Sequence, residues 1–514
     1  MKNKSKKSLI NFSSAIIYKL VVVVVGILLP RLLITSYGSE INGLQASVKQ
    51  IFTYIALLEA GIGTATIQSL FGPVAKNDRN KINAYISAAS NYYNKIGVLY
   101  FLVLVVLAAV YCILIPVESI TVAEVFVYVI ISGALTGINF FYLAKLKLLI
   151  SAEGDQYIVS TITMVTYLVS SVLKIALIYF GFNIIAVETV YIAVNIAATF
   201  FYYLVAKKRY PWLSFKEEPD YTGMEQKNSV MIHKISALIF QNVDILLLTF
   251  FCSLETVSIY SMYKMIVDMV TSIVSEIGNS VNFIFGQQFN SKENKSEYNT
   301  IIDVFNVYYS AIAFAFYTVT YILIIPFLSI YTLGLDINYI YINLPFFYVI
   351  IEFLTVGREA MLRTIDVAGH FKKTQWRTVI EAIINFVGSV TFIIVFTKIF
   401  GDLGGIYGAL LGTILAMIYR TIDINIYANR MILKRRCTKT FKIMFTNAII
   451  FIIIAIIFKN INLEINNYLE FFISGIWVTP LVVSVFIMVH SVINQSELKY
   501  IKRFIKNKIK RREC

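Results

Sequence analysis

Charged side chains are scarce in this sequence. Of its 514 residues, 15% are Asp, Glu, Lys or Arg and 58% are hydrophobic, and the mean hydropathy is +0.73. In a soluble globular protein about a quarter of the residues are charged and about half are apolar. A soluble chain of this length would form two or more domains, and here too little polar side chain is available to cover them. The composition excludes a soluble enzyme and a disordered protein, and it indicates a protein that crosses a membrane several times.

Cysteine and histidine are also rare. The four cysteines are Cys112, Cys252, Cys437 and Cys514, and the three histidines are His233, His370 and His490. Their spacing matches neither a disulfide scaffold nor a redox motif nor a metal site. The sequence also lacks a nucleotide-binding motif such as the P-loop. We therefore expect no resident cofactor, and any energy that the protein requires would come from an ion gradient, the membrane potential or consumption of a product.

Long apolar runs are abundant. A helix needs about 20 mostly apolar residues to cross a bilayer, and their continuous rather than alternating pattern predicts helices and not barrel strands. The sequence predicts an all-α polytopic membrane protein with about 14 transmembrane helices. The fourteen runs are residues 9–36, 44–73, 84–114, 123–149, 157–181, 184–206, 229–252, 256–288, 299–328, 341–364, 375–399, 404–428, 440–458 and 470–493.

The basic residues are distributed unevenly between the two ends of these runs. The net charge is +15, and loops facing the cytosol accumulate Lys and Arg. With the N-terminus inside, 31 of the 45 basic residues fall in cytosolic tails and loops, and only Lys459 falls in an outer loop. The pattern predicts that both termini are cytoplasmic. We expect the basic tails to be attracted to anionic membrane lipids and not to bind nucleic acid, because no aromatic interleaving accompanies them.

Spans 1–6 and 7–12 share local features at a nearly constant offset of 214 to 220 residues. The repeat is parallel because six spans return the chain to the same side, and paired six-helix lobes are a common transporter architecture. We expect an N-lobe at 1–206, a cytoplasmic linker at 207–228, a C-lobe at 229–430, and spans 13 and 14 with a basic tail at 431–514. The matched features are Glu40 with Glu255, Phe71-Gly72 with Phe285-Gly286, Gly154 with Gly369, and Phe180-Gly181 with Phe400-Gly401.

Thirteen basic residues lie in or at the edges of spans. Charged groups at the bilayer centre are costly, so they are expected to face a protein interior or a wet cavity. Some have an opposite charge three or four residues away on the same helix, which allows an intrahelical ion pair. Lys95, Lys227 and Arg377 lie near the cytosolic edge, where long side chains reach the interface. The predicted intrahelical pairs are Lys264 with Asp268, Glu359 with Arg363, and Arg420 with Asp423.

The candidate site combines intramembrane charges that lack a partner nearby in the sequence with the Lys264–Asp268 pair. A cleft with several fixed cations suits an anionic cargo, because desolvated Arg and Lys bind phosphate strongly. Acids among them would balance charge or bind a coupling ion, H⁺ or Na⁺. Interhelical salt bridges with a purely structural role are the alternative interpretation. The candidate substrate-binding residues are Lys19, Arg31, Lys174, Lys264 and Arg358, and the candidate ion-coupling or charge-balancing residues are Glu59, Asp244, Asp268 and Glu352.

Three segments in the first hundred residues carry a family resemblance. They are Gly38-Ser39-Glu40-Ile41-Asn42-Gly43-Leu44, Leu57-Leu58-Glu59-Ala60-Gly61-Ile62-Gly63, and Phe71-Gly72-Pro73-Val74-Ala75-Lys76-Asn77-Asp78. This start resembles that of bacterial polysaccharide flippases of the Wzx type. These flippases belong to the MOP superfamily, together with MATE drug exporters and the lipid II flippase MurJ. The span count and the repeat agree with that superfamily over the whole chain.

The resemblance implies a function. It implies a V-shaped pair of lobes, alternating access, and an undecaprenyl-pyrophosphate-linked oligosaccharide moved from the inner to the outer leaflet of the bacterial cytoplasmic membrane. Such export serves capsule, exopolysaccharide or O-antigen assembly, with a glycan polymerase and other assembly proteins as partners. Arg31 and Arg358 could correspond to the family's cleft arginines.

Three alternatives stay open from the sequence. A lipid II flippase would use the same mechanism. A MATE-like ion-coupled exporter of cationic drugs would be expected to rely on acids, and the many intramembrane Lys and Arg residues argue against it. An integral-membrane glycan polymerase or ligase would need an active site on the outer face, and the largest outer loop, about 328–341, has no His, Arg or Lys.

Overall fold

The computed structural model describes residues 2–56, 62–215, 217–224, 243–279, 285, 289, 295–461 and 465–510. Of the described residues, 87% are helical and none forms a β-strand. The helices of the first half are α1 Lys2–Tyr37, α2 Ser39–Ile55, α3 Ile62–Lys76, α4 Arg79–Leu114, α5 Val122–Ala152, α6 Gln156–Tyr179 and α7 Ile184–Arg209. A short 3₁₀ turn, Tyr221–Met224, follows them.

The second half is also helical. Residues 243–251 are helical, and the later helices are α8 Leu254–Asn279, α9 Lys295–Tyr331, α10 Leu344–Val367, α11 Phe371–Phe400, α12 Asp402–Tyr427, α13 Thr438–Lys459, α14 Tyr468–Ile493 and α15 Gln495–Lys510. A π-helical turn, Ala428–Ile432, follows α12.

The predicted membrane class is confirmed. In the described part of the chain, eleven helices are long and apolar enough to cross a membrane. The predicted tenth span is the 24-residue helix α10, which is not among the eleven and which carries several charged residues in its C-terminal half. The second span is described as α2 and α3 without the residues between them, and most of the seventh lies outside the described residues. The prediction of about 14 helices is consistent with this structure.

The chain divides into two compact units. Unit 1 consists of Met1–Ser258 and Gly334–Ile337, and unit 2 consists of Ile259–Leu333 and Asn338–Cys514. The core of unit 1 contains fully buried tyrosines whose hydroxyls reach backbone carbonyls. The Tyr100 hydroxyl donates to the Gly133 carbonyl at 3.0 Å, and the Tyr202 hydroxyl donates to the Val159 carbonyl at 3.0 Å. Each ring fills space between helices while its polar tip stays hydrogen-bonded.

Glycines allow α11 and α12 of unit 2 to approach closely. A Cβ added to Gly412 would lie 2.3 Å from the backbone nitrogen of Ser389, and one added to Gly408 would lie 2.5 Å from that of Ile393. Small residues at a helix interface permit such contacts in membrane proteins. The Asn385 side-chain amide donates to Thr413 Oγ1 at 2.9 Å across the same interface.

A buried polar chain connects α13 and α14 to α9. His490 Nε2 lies 2.7 Å from Asn447 Oδ1, and Asn447 Nδ2 donates to Ser310 Oγ at 3.1 Å. All three side chains are almost completely buried. His490 therefore has hydrogen-bond partners that account for its position, and the last two spans are fixed to the rest of unit 2 by directional bonds.

Two glycines of the sequence repeat end their helices in the same way. Gly154 follows α5 with φ +76°, and Gly369 follows α10 with φ +67°. The amide of the next residue bonds the carbonyl five residues back in both places, from Asp155 to Ile150 at 3.1 Å and from His370 to Ile365 at 3.2 Å. This is the hydrogen-bond pattern of a Schellman cap, which favours glycine because the left-handed conformation disfavours a side chain. These two matched glycines therefore cap their helices in the same local conformation.

Candidate functional site

Lys174 belongs to a buried ion pair in unit 1. Its Nζ lies 2.7 Å from Glu188 Oε1, and the two side chains are 11% and 7% exposed. The same carboxylate oxygen accepts from Gln45 Nε2 at 3.1 Å, and Lys174 Nζ lies 4.5 Å from the ring centre of Tyr191. The short turn after α6 brings the start of α7 alongside its end, which places the two charges side by side. Lys174 was predicted from the sequence, whereas its partner Glu188 was not.

The other unit 1 candidates lie at separate positions. Lys19 is exposed on α1 and Arg31 is half-buried on the same helix. Asp244 is buried, 7% exposed, and lies close enough to Tyr54 to interact with it electrostatically. Glu59 lies outside the described residues.

Glu40, a residue of the family-like first segment, is engaged in a local contact. Its carboxylate accepts from the backbone amide of Glu118 at 2.7 Å and from that of Ser119 at 2.8 Å. The connection between α4 and α5 is thereby fixed to the first turn of α2. Nearby, the backbone amide of Ser39 donates to Asp336 Oδ2 at 2.7 Å. These two acids satisfy backbone amides that would otherwise lack partners.

Arg358 belongs to a larger network in unit 2. Its Nη1 lies 2.6 Å from Glu381 Oε1, and the other oxygen of Glu381 lies 3.1 Å from Arg420 Nε. Arg420 also lies 2.9 Å from Asp423 Oδ2, and Arg377 pairs with the second oxygen of Asp423. We call these five residues on α10, α11 and α12 the arginine network. Glu381 and Arg420 are almost completely buried, and Arg377 is the most exposed member, at 40% of its side chain.

A second group of charges lies at the end of α10. Arg363 Nη2 pairs with Glu359 Oε1 at 2.6 Å, as the spacing of four residues predicts, and it contacts Asn279 Oδ1 at 3.4 Å. These three residues line a cavity of about 350 Å³ together with Asp366 and Val367. The cavity is polar and holds one more carboxylate than guanidinium, so it has no excess of positive charge.

The remaining unit 2 candidates lie on α8 and α10. Lys264 Nζ pairs with Asp268 Oδ1 at 3.0 Å, and Asp268 is 54% exposed. The carboxyl of Glu352 interacts with the hydroxyl of Tyr317, which lies 3.0 Å from Thr271 Oγ1. The structure thus places Glu352 beside Tyr317 and Thr271, two residues that were not predicted from the sequence.

The charges of α10, α11 and α12 nearly balance. The four arginines of the two groups, Arg358, Arg363, Arg377 and Arg420, accompany four acids, Glu359, Asp366, Glu381 and Asp423. Of the five candidate cations, Lys174, Lys264 and Arg358 each have a carboxylate partner. The three predicted intrahelical pairs are confirmed. Before Arg358 or Lys174 could bind a cargo, its ion pair would have to open. If the pair stayed closed, the negative charge of the partner would remain in the binding site.

This helical architecture is similar in fold to solved membrane transporters. A solved MATE family multidrug resistance transporter of that superfamily, in an inward-facing conformation, matches with a TM-score of 0.61 at 15% identity, over 83% of this chain and 98% of its own. The lipid II flippase MurJ, in an inward closed conformation, matches with a TM-score of 0.56 at 12% identity, over 94% of this chain and 98% of its own. A MATE transporter of Vibrio cholerae matches with a TM-score of 0.51 at 14% identity, over 84% of this chain and 99% of its own.

These neighbours are transporters and a flippase, not enzymes. At 12 to 15% identity the likeness establishes the fold. No protein-family model and no curated protein sequence matches the chain.

Proposed function

We propose that this protein is a flippase that moves undecaprenyl-pyrophosphate-linked oligosaccharides across the bacterial cytoplasmic membrane by alternating access. The cargo would pass from the inner to the outer leaflet for capsule, exopolysaccharide or O-antigen assembly. Its pyrophosphate is anionic and its glycan is polar, so both need a hydrophilic path, while the polyprenyl tail can stay in lipid. No bond is made or broken in this step, which fits a transporter fold.

The observation that carries this proposal is the extent of the match to MurJ. That flippase covers 94% of this chain, whereas the MATE transporter covers 83%. The uncovered 17% is about the length of residues 431–514, the predicted appended spans 13 and 14 with their tail. A flippase of lipid-linked cargo therefore accounts for more of this chain than an exporter does, although the TM-score to the exporter is the higher of the two.

The second candidate is a lipid II flippase. It is favoured by the same match, because the solved neighbour is described as a lipid II flippase. The two candidates differ in the glycan attached to the same kind of lipid carrier. An ion-coupled exporter remains the third candidate on the basis of the MATE neighbours.

The test is a flipping assay with the purified full chain in proteoliposomes. Fluorescent undecaprenyl-pyrophosphate-oligosaccharide, fluorescent lipid II and a cationic dye are supplied separately, with imposed H⁺ and Na⁺ gradients. We expect the oligosaccharide lipid to become accessible to a membrane-impermeant quencher in the opposite leaflet, at a rate above that of protein-free vesicles. Movement of lipid II alone would favour the second candidate, and movement of the dye alone would reject both flippase proposals.

A further inference from the structure

The last helix, α15, begins directly after a membrane span. The span α14 ends at Ile493 and α15 starts at Gln495, so only Asn494 separates them. The Asn494 amide bonds the His490 carbonyl at 2.8 Å, and its side chain lies 3.1 Å from His490 Nδ1. The junction is short and hydrogen-bonded, which holds the start of α15 at the end of α14. At 1.5 Å per residue its 16 residues extend about 24 Å.

A charge cluster fixes the first turn of α15 to the rest of unit 2. Lys439 Nζ lies 2.5 Å from Glu497 Oε1 and 2.7 Å from Asp303 Oδ2. Arg435 donates two hydrogen bonds to the same aspartate, at 3.0 and 2.7 Å. These four residues, two cations and two anions, neutralise one another. The basic residues Lys439 and Arg435 therefore contribute little to the surface charge, and the rotation of α15 about its axis is set at Glu497.

The rotation leaves a basic face exposed. Glu497 is buried and Leu498, Tyr500 and Ile501 are half-buried, whereas Lys499, Lys502 and Arg503 are exposed. At 100° per residue the three exposed cations share one face of the helix. Later in the sequence, Lys506 and Lys510 continue the same spacing, and Glu497 is the only acid of α15. We call Lys499, Lys502 and Arg503 the basic face of α15.

We propose that the basic face of α15 is a binding site for the headgroups of anionic lipids in the leaflet next to the end of α14. Lys499 follows the last residue of that span by six positions. At physiological ionic strength charges interact over about 8 Å, and a basic residue near an anionic bilayer surface strengthens binding about fivefold. Because the cluster at Glu497 already orients the helix, little conformational entropy is lost when lipid binds. This site is independent of the proposed flippase activity.

The experiment measures the lipids that bind the full chain. Purified protein is incubated with mixtures of phosphatidylglycerol and phosphatidylcholine, and the lipids retained per protein are counted by native mass spectrometry. The variant Lys499→Gln/Lys502→Gln/Arg503→Gln is compared with Lys434→Gln/Arg436→Gln/Lys442→Gln, whose residues are also exposed cations of unit 2. We expect the first variant to lose at least about fivefold in phosphatidylglycerol affinity and the second to change less than twofold.

Other results would overturn the proposal. Equal loss in both variants would show that net charge matters and the face of α15 does not. Unchanged phosphatidylglycerol binding in the first variant would remove the site. Preferential binding of an added RNA oligonucleotide or acidic peptide over phosphatidylglycerol would assign the face to another partner. By contrast, the variant Lys499→Arg/Lys502→Arg keeps both positive charges. We expect it to retain the phosphatidylglycerol affinity of the wild type, and we expect all variants to keep the same thermal midpoint.

Discussion

At the residue scale, Arg358 and Glu381 illustrate how charges are held inside this fold. Arg358 lies nine residues before the end of α10, and Glu381 lies ten residues after the start of α11. Two antiparallel helices joined by a short turn place residues at equal distances from that turn side by side. Lys174 and Glu188 follow the same rule, at five residues before the end of α6 and four after the start of α7. This spacing is the signal in the sequence that could have identified both acids.

The first prediction concerns the Arg358–Glu381 pair. Arg358→Met alone leaves a carboxylate with less compensation in a buried site, and we expect the free energy of unfolding to fall by about 3 kcal/mol. In the double variant Arg358→Met/Glu381→Leu both charges of the pair are absent and Asp423 still pairs with Arg420. We expect it to recover most of that stability. Thermal unfolding in detergent measures both.

Transport separates a structural role of Arg358 from cargo binding. If the double variant is stable and flips the oligosaccharide lipid at the wild-type rate, Arg358 does not bind cargo. If it is stable and inactive, the guanidinium is needed for transport. Arg31→Ala serves as the parallel test on α1. If this variant and the Arg358→Met/Glu381→Leu variant both transport at the wild-type rate, the hypothesis of a cleft that binds cargo through cations is rejected.

The second prediction uses two lysine–acid pairs of different burial. Lys174 and Glu188 are almost completely buried, whereas Lys264 and Asp268 are 25% and 54% exposed. We expect Lys174→Met to lower the free energy of unfolding by about 3–5 kcal/mol, because it leaves Glu188 charged and buried. Lys264→Met should change it by less than about 1 kcal/mol, because exposed pairs contribute little. Equal effects, measured by thermal unfolding, would contradict the assigned burial.

At the element scale, the contact between α11 and α12 depends on which glycine lies directly against the backbone of the neighbouring helix. A Cβ at Gly412 would meet the Ser389 backbone at 2.3 Å, whereas one at Gly388, on the facing helix, would meet its nearest atom at 3.4 Å. The sequence shows several glycines in these spans, but their spacing does not reveal which of them touch the neighbouring helix. That depends on the rotation of both helices about their axes.

The third prediction follows from these distances. Gly412→Ala should force the helices apart and destabilise unit 2 by about 1–3 kcal/mol or more, as other overpacked sites do. Gly388→Ala is the matched control, and it should be neutral or slightly stabilising because alanine favours helix. The yield of folded protein and its thermal midpoint measure both effects. If Gly388→Ala lowered the yield and the thermal midpoint as much as Gly412→Ala does, the observed packing would be contradicted.

The fourth prediction concerns the attachment of α15. Burial disfavours the charged form of Glu497, but hydrogen bonds from Lys439 and Ser496 outweigh it and lower its pKa from the ordinary 4.5. A lowered pKa stabilises attachment above pH 4.5, and this stabilisation disappears as the pH falls through the lowered value. We expect hydrogen exchange of α15, corrected for intrinsic rates, to be slow at pH 6 and to accelerate below pH 4.

The control for this attachment is Glu497→Gln. It lacks the titrating carboxyl, so its α15 should already exchange faster at pH 6 and show little further change on acidification. A variant that exchanges like the wild type at both pH values would show that Lys439 and Glu497 do not hold the helix.

At the scale of the whole molecule, the fifth prediction concerns orientation. The loop charges predict that Glu255 faces outward and Lys434 faces the cytosol, and both residues are exposed. In a variant with the four native cysteines replaced by serine, Glu255→Cys should react with an impermeant maleimide in intact cells. Lys434→Cys should react only after permeabilisation. The reverse pattern would invert the topology, and labelling of both residues from outside would reject the count of spans between them.

Most of the architecture follows from the sequence by itself. Membrane spanning depends on hydrophobicity summed over about 20 neighbouring residues, so the helical class and the approximate span count could be predicted without knowing any contact. The pairs Lys264–Asp268, Glu359–Arg363 and Arg420–Asp423 were also predictable, because helix geometry alone brings residues three or four apart together. The glycine caps at Gly154 and Gly369 are local features of the same kind, because each involves only residues close together in the sequence.

The tertiary structure decided which charges meet between helices. Glu188 lies beside Lys174, Glu381 lies between Arg358 and Arg420, and Lys439 bridges Asp303 and Glu497 only because particular helices pack in particular rotations. No local periodicity encodes that choice, since it depends on how side chains fill the space between helices distant in sequence. As a result, cations that look unbalanced in the sequence are nearly neutralised in the fold, and the basic face of α15 is exposed.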